Sequence, residues 1–129
     1  MTTDLMMLTW SAVLCVLLAV PYTIGLTQKL GLTIMVGNRE DFPDVEGWIG
    51  RSIRAHRNMV ENLAPFAALV LVAHVAGKAN SGTALGAQIF FWARIVHAGA
   101  YIGGVVWLRT VAWTVSVIGM LLILMAIIR

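Results

Sequence analysis

The chain has 129 residues, 60% of them hydrophobic and 12% charged, with a mean hydropathy of +0.87. A water-soluble domain is about 45–50% apolar and about 25% charged, and one this small buries only about two-thirds of its surface, so this composition excludes a soluble monomer. The net charge of +3 is not gathered into a basic tail, which argues against nucleic acid, and a single cysteine excludes a disulfide scaffold or a multi-cysteine zinc site.

A bilayer core about 30 Å thick takes roughly 20 helical residues to cross. The uncharged stretches predict four such helices, at about 5–28, 47–76, 82–105 and 108–128. Together they make one all-α domain over residues 1–129, an integral membrane four-helix bundle. The first helix has no basic leader, carries Asp4 and is too long for a signal-peptide core, so it reads as a permanent span. Pro21 near its end is tolerable in a membrane helix.

Lys29 to Glu46 holds Gly31, Gly37, Pro43 and most of the acids, and reads as a polar loop. The second connection, Lys78 to Gly82, is a tight turn, and the Gly103–Gly104 pair marks the third. Gly99 and Gly103 form a small-xxx-small spacing suited to close helix contact. Lys29, Arg39, Arg51, Arg54, Arg57 and Arg109 gather around connections one and three, against Lys78 and Arg129 on the other side. The positive-inside rule then puts both connections in the cytoplasm and both termini outside.

Polar residues inside the apolar segments carry the functional signal. In the second helix Arg54, Asn58 and Glu61 recur at i, i+4 and i+7 on one face, with Arg51 a turn earlier and Arg57 spaced to pair with Glu61. In the third, Arg94, His97 and Tyr101 share a face, and Arg109 opens the fourth at the same membrane side. Charges at membrane depth are expensive and face a bundle interior or a wet cavity. Five arginines against one deep acid cannot neutralise each other, and that excess suits a ligand bearing carboxylate or phosphate. Packing with lipid-headgroup contacts is the plainer alternative.

No metal site is expected. His56 and His74 lie on one helix, about 27 Å apart along its axis. Cys15 has no base or cation near it in sequence, so it reads as an inert thiol. Trp10, Trp48, Trp107 and Trp113 fall near predicted helix ends, as interface anchors do.

These motifs resemble the MAPEG family, membrane-associated proteins in eicosanoid and glutathione metabolism. The family's R-A-x-x-N-x-x-E motif is matched by Arg54, Ala55, Asn58 and Glu61. Its A-R-x-x-H-x-x-x-Y motif is matched by Ala93, Arg94, His97 and Tyr101, and Gly37 to Asp44 is similar to the first-loop signature of bacterial members. The resemblance implies a homotrimer, in a bacterial inner membrane, with glutathione as co-substrate between subunits on the cytoplasmic side. It implies that Arg54, Arg57, Asn58 and Glu61 hold the carboxylates and amine of glutathione, that His97 and Tyr101 line its pocket, and that Arg109 stabilises its thiolate. Thr110 stands where the family's prostaglandin synthase has a serine, and Asn62 where its leukotriene synthases have a tyrosine.

The residue chemistry fits independently of that likeness. Glutathione carries two carboxylates and one ammonium, matching several guanidiniums and one glutamate, and a nearby guanidinium raises the thiolate fraction of its thiol. The second substrate is then a hydrophobic small molecule or lipid delivered by the membrane. The expected activity is a glutathione transferase, with a peroxidase as a further outcome. A non-catalytic protein of this fold that binds lipid or an anion remains the alternative. A four-helix multidrug transporter would want a carboxylate within Leu5 to Gln28, which has none.

Overall fold

The computed structural model of the chain describes residues 1–129. All of its regular structure is helical: α1 (Thr3–Leu30), α2 (Leu32–Val36), α3 (Gly47–Val75), α4 (Ser81–Gly103) and α5 (Val106–Ile128). The four long helices start and stop within two residues of the predicted limits. The exception in kind is α2, a single turn inside the segment read as a loop. Gly31, with φ of 88°, breaks the chain between α1 and α2.

The short connections end helices by backbone chemistry. After α3, Gly77 (φ 66°) lets its own N–H reach the His74 carbonyl (3.1 Å) and the Lys78 N–H reach that of Ala73 (2.8 Å). After α4, Gly104 (φ 78°) does the same, with bonds from Gly104 to Tyr101 (3.2 Å) and from Val105 to Ala100 (2.8 Å). Both are paired closures that satisfy otherwise orphaned carbonyls, and the second stops α4 at Gly103 rather than near residue 105. Asn80 caps α4, accepting from the N–H groups of Gly82 (2.7 Å) and Thr83 (3.3 Å) while Thr83 Oγ1 accepts from the Asn80 N–H (2.9 Å).

Helices α3 and α4 form the middle of the molecule, with α1 against both and α5 also against both, while α1 and α5 do not touch. The shared core is Leu18, Met59, Phe66, Val70, Ala87, Phe90, Ala98 and Ile123, with Phe66 and Phe90 stacked 3.8 Å between ring centroids. Only 27 of 129 residues are buried, and many large apolar side chains, among them Val16, Leu17, Trp92 and Trp107, stand exposed, the reverse of a water-soluble fold. Three helices, α1, α3 and α5, are long and apolar enough to cross a membrane. Helix α4 equals α5 in length but is less apolar, and it carries Arg94. Exposed hydroxyls on these helices return to their own backbones, as Thr23 does to Ala19 O (2.6 Å) and Thr114 to Thr110 O (3.0 Å). Those hydroxyl donors are thereby satisfied without help from water.

The close helix contact lies elsewhere than the spacing of Gly99 and Gly103 suggests. Both of those glycines face open space. It is Gly86 on α4 and Gly119 on α5 that let two backbones meet: a Cβ built on Gly119 would stand 2.6 Å from the Gly86 carbonyl and 2.9 Å from the Phe90 nitrogen. Gly119→Ala is therefore expected to push α4 and α5 apart and destabilise the protein by about 1–3 kcal/mol. Gly99→Ala meets nothing and should stabilise by about 0.5–1 kcal/mol through helix propensity. Thermal unfolding in detergent reads the two opposite signs.

One polar knot ties the end of the molecule where both termini lie. The first helix begins at Thr3, so Asp4 sits inside its first turn. Asp4 is 2% exposed, pairs with His74 Nε2 (3.0 Å) and accepts from Thr83 Oγ1 (2.9 Å), joining α1, α3 and α4. No other acidic side chain in the chain makes such a contact with a basic one. The first helix thus does hold a carboxylate, but at its end and fully engaged, not free at mid-membrane as a transporter would need.

Candidate functional site

At the opposite end, a cavity of about 260 Å³ opens between α3, α4 and α5, lined by Asn58, His97, Tyr101, Arg109, Thr110 and Trp113. The turn at Gly104 folds α5 back so that Arg109 lies beside Tyr101, one turn below the end of α4. The Arg109 guanidinium carbon sits 4.6 Å from the Tyr101 ring centroid, a cation held against a π face. The His97 ring meets Tyr101 edge-on at 5.5 Å. The cavity wall contains a guanidinium, an imidazole, a phenol, an amide and a hydroxyl, and no carboxylate. Its only formal charge is positive.

Arg94 stands behind this wall rather than on it. It is 1% exposed, and its Nη2 donates to Asn58 Oδ1 at 2.7 Å, which turns the amide of α3 toward α4. Its Nε and Nη1 have no partner. Asn58 in turn accepts from the Asn62 side chain, at 2.8 Å on its carbonyl and 3.2 Å on Oδ1. The amide is thereby fixed from two sides.

The remaining arginines are distributed. Arg51 reaches across to the end of α4, its Nε donating to the Ile102 carbonyl at 2.9 Å. There it satisfies a last-turn oxygen and offsets the negative end of the helix dipole. Arg54 and Arg57 line a second groove of about 500 Å³ together with Arg39, Asp44 and Tyr22. Arg39 is held by two bonds to the Met35 carbonyl (3.2 and 3.0 Å), and the Tyr22 hydroxyl meets His56 Nδ1 at 2.9 Å. Glu61 is exposed on α3, and although spaced to pair with Arg57 it forms no ion pair within the chain.

The structure therefore gathers Asn58, His97, Tyr101 and Arg109 in one cavity with Arg94 supporting it. Arg54 and Arg57 form a neighbouring groove, Arg51 closes a helix, and Glu61 stands alone on the outer face of α3. Trp113, read from its position as an interface anchor, also lines the cavity. The signal for it was its i+4 spacing from Arg109.

These features define an integral membrane protein of antiparallel helices with a polar, cationic cavity at one end. The family model of the MAPEG family matches residues 5–129, essentially the whole sequence, and the chain belongs to that family. Membership places it among membrane proteins associated with glutathione and eicosanoid metabolism. No curated protein and no solved structure matches the chain.

Proposed function

We propose that the protein is a glutathione-dependent transferase of the membrane, acting on hydrophobic electrophiles or lipid hydroperoxides. The observation that carries this reading is the Arg109 guanidinium, braced on Tyr101 and facing a cavity with no carboxylate to neutralise it. A thiolate is the anion that such a site favours, and holding it there raises the nucleophile's concentration at neutral pH. In conjugation the thiol proton passes to water, and the sulfur electron pair forms the new C–S bond as the leaving group departs with its own pair. With a hydroperoxide the sulfur takes the terminal oxygen and releases an alcohol. A second glutathione then converts the sulfenic acid to a disulfide and water.

The active unit in this reading is a homotrimer with α4 as a fourth span. Arg54, Arg57 and Glu61 are exposed on a membrane-crossing helix without a partner in their own chain. Charges left facing lipid cost about 2.5–3.5 kcal/mol each near mid-membrane, so a second copy packed on this face of α3 is the favourable arrangement. The carboxylates and amine of glutathione then lie between Arg54, Arg57 and Glu61 of α3, and its sulfur lies at Arg109. The basic end faces the cytoplasm by the positive-inside rule.

Isothermal titration of the full chain in mild detergent with glutathione tests the reading. Arg54→Ala and Glu61→Ala should each weaken binding by about 1.5–3 kcal/mol, the worth of one charge-assisted hydrogen bond. Light scattering should report a trimer. Binding like wild type in both variants, or by a clean monomer, overturns the intersubunit site. A second reading, anion binding without turnover, is favoured by the separation of the Arg54–Arg57 groove from the Arg109 cavity. Saturable glutathione binding with neither a thiolate absorbance nor conjugation of any electrophile selects it.

A further inference from the structure

The end of the molecule remote from Arg109 carries a second cationic feature that glutathione chemistry does not use. A groove of about 520 Å³ runs between the start of α4 and the last turns of α5. Lys78 and Arg129 stand at its mouth, and Leu85, Leu122 and Met125 form its wall. Neither cation is in an ion pair. The nearest acidic side chain by position, Asp4, is buried and committed to His74 and Thr83, so it does not neutralise them. Nor does the helix end itself supply the attraction, since the Asn80 side chain already takes up the N–H groups of Gly82 and Thr83. With the α-carboxylate of Arg129 counted against them, Lys78 and Arg129 still leave the groove net positive.

Their surroundings identify the ligand. Lys78 lies in the turn that joins two long helices and Arg129 follows the last helical residue, which is the level of lipid headgroups in a chain of this kind. Beneath them the wall is apolar and open to the membrane, with Leu85 51% and Met125 44% exposed. A small soluble anion would gain nothing from that wall. A phospholipid matches both parts, its phosphate between the cations and an acyl chain along Leu85 and Leu122. A zwitterionic headgroup brings an ammonium toward Lys78 and Arg129 and is disfavoured, whereas an anionic headgroup adds no opposing charge.

We propose that this groove binds one anionic phospholipid from the leaflet opposite the Arg109 cavity, with Lys78 and Arg129 holding its phosphate. The proposal is independent of glutathione binding. Native mass spectrometry of the full chain, released from nanodiscs of mixed phosphatidylglycerol and phosphatidylcholine, is the test. Retained phosphatidylglycerol is expected in preference to phosphatidylcholine, at one per protomer. At about 1 kcal/mol per basic residue, Lys78→Gln with Arg129→Gln should lower phosphatidylglycerol affinity by roughly thirtyfold. Lys29→Gln with Arg39→Gln, at the other end, should leave this bound lipid in place. Leu85→Trp, which fills the groove without changing charge, should also release the lipid. Equal retention of both lipids, retention in the Lys78–Arg129 double variant, or displacement by inorganic phosphate alone overturns the assignment.

Discussion

Arg109→Ala is expected to reduce glutathione-dependent turnover at least about tenfold, equivalent to about 1.4 kcal/mol in the barrier. Glutathione affinity should meanwhile change only a few-fold. The split follows from where the charge sits. Arg109 is fixed by Tyr101 at the cavity wall, away from the Arg54–Arg57 groove that the peptide carboxylates are proposed to occupy. An interaction made chiefly with the ionised sulfur stabilises the reacting form and contributes little to holding the rest of the molecule. The ultraviolet absorbance of the bound thiolate should fall in the same variant. Arg109→Lys keeps the charge but loses the guanidinium that sits over the Tyr101 ring, so it should lie between the two. Unchanged turnover and unchanged thiolate absorbance in Arg109→Ala would remove this residue from the chemistry.

Arg94→Met is expected to separate stability from binding. Arg94 is buried without a carboxylate, its one bond goes to Asn58, and two of its nitrogens have no partner. A buried charge without a counter-charge carries a desolvation penalty that an apolar side chain of similar volume does not. The unfolding temperature in detergent should therefore hold or rise. Asn58 loses the bond that orients its amide, and glutathione affinity should fall by about 1.5–3 kcal/mol. Asn58→Ala should weaken binding similarly, and the double variant should be no worse than either single one, because the two act as a unit. Loss of stability together with binding would instead make Arg94 a purely structural residue.

The helices were legible in the sequence because the signal is one-dimensional: an uncharged run of sufficient length, stopped by glycine, asparagine or a charge. The convergence of Asn58, His97, Tyr101 and Arg109 was legible for a related reason, since a polar side chain has few acceptable directions inside an apolar segment. What a helix faces across space was not. Gly99 and Gly103 had the expected spacing but point outward, whereas Gly86 and Gly119 lie on different helices and have no spacing to detect. Glu61 and Arg57 could be placed on one face by periodicity, yet whether they pair depends on side-chain rotamers, which periodicity does not set. Asp4 was read as a mark against a signal peptide, and its partners His74 and Thr83 could be found only once α1 and α4 were known to run side by side.

That last contact bears on how the protein is made. Asp4 and Thr83 are 79 residues apart, so at about 5–20 residues per second the ribosome takes roughly 4–16 s to deliver the partner hydroxyl after the carboxylate. Through most of that interval the acid at the leading edge of the first helix has only local partners, such as the Leu5 N–H at 3.1 Å, besides water and headgroups. Placement at the very start of the helix lets it wait there without being dragged into hydrocarbon. Closure of the knot is then a late assembly step, which registers that the third long helix has arrived beside the first.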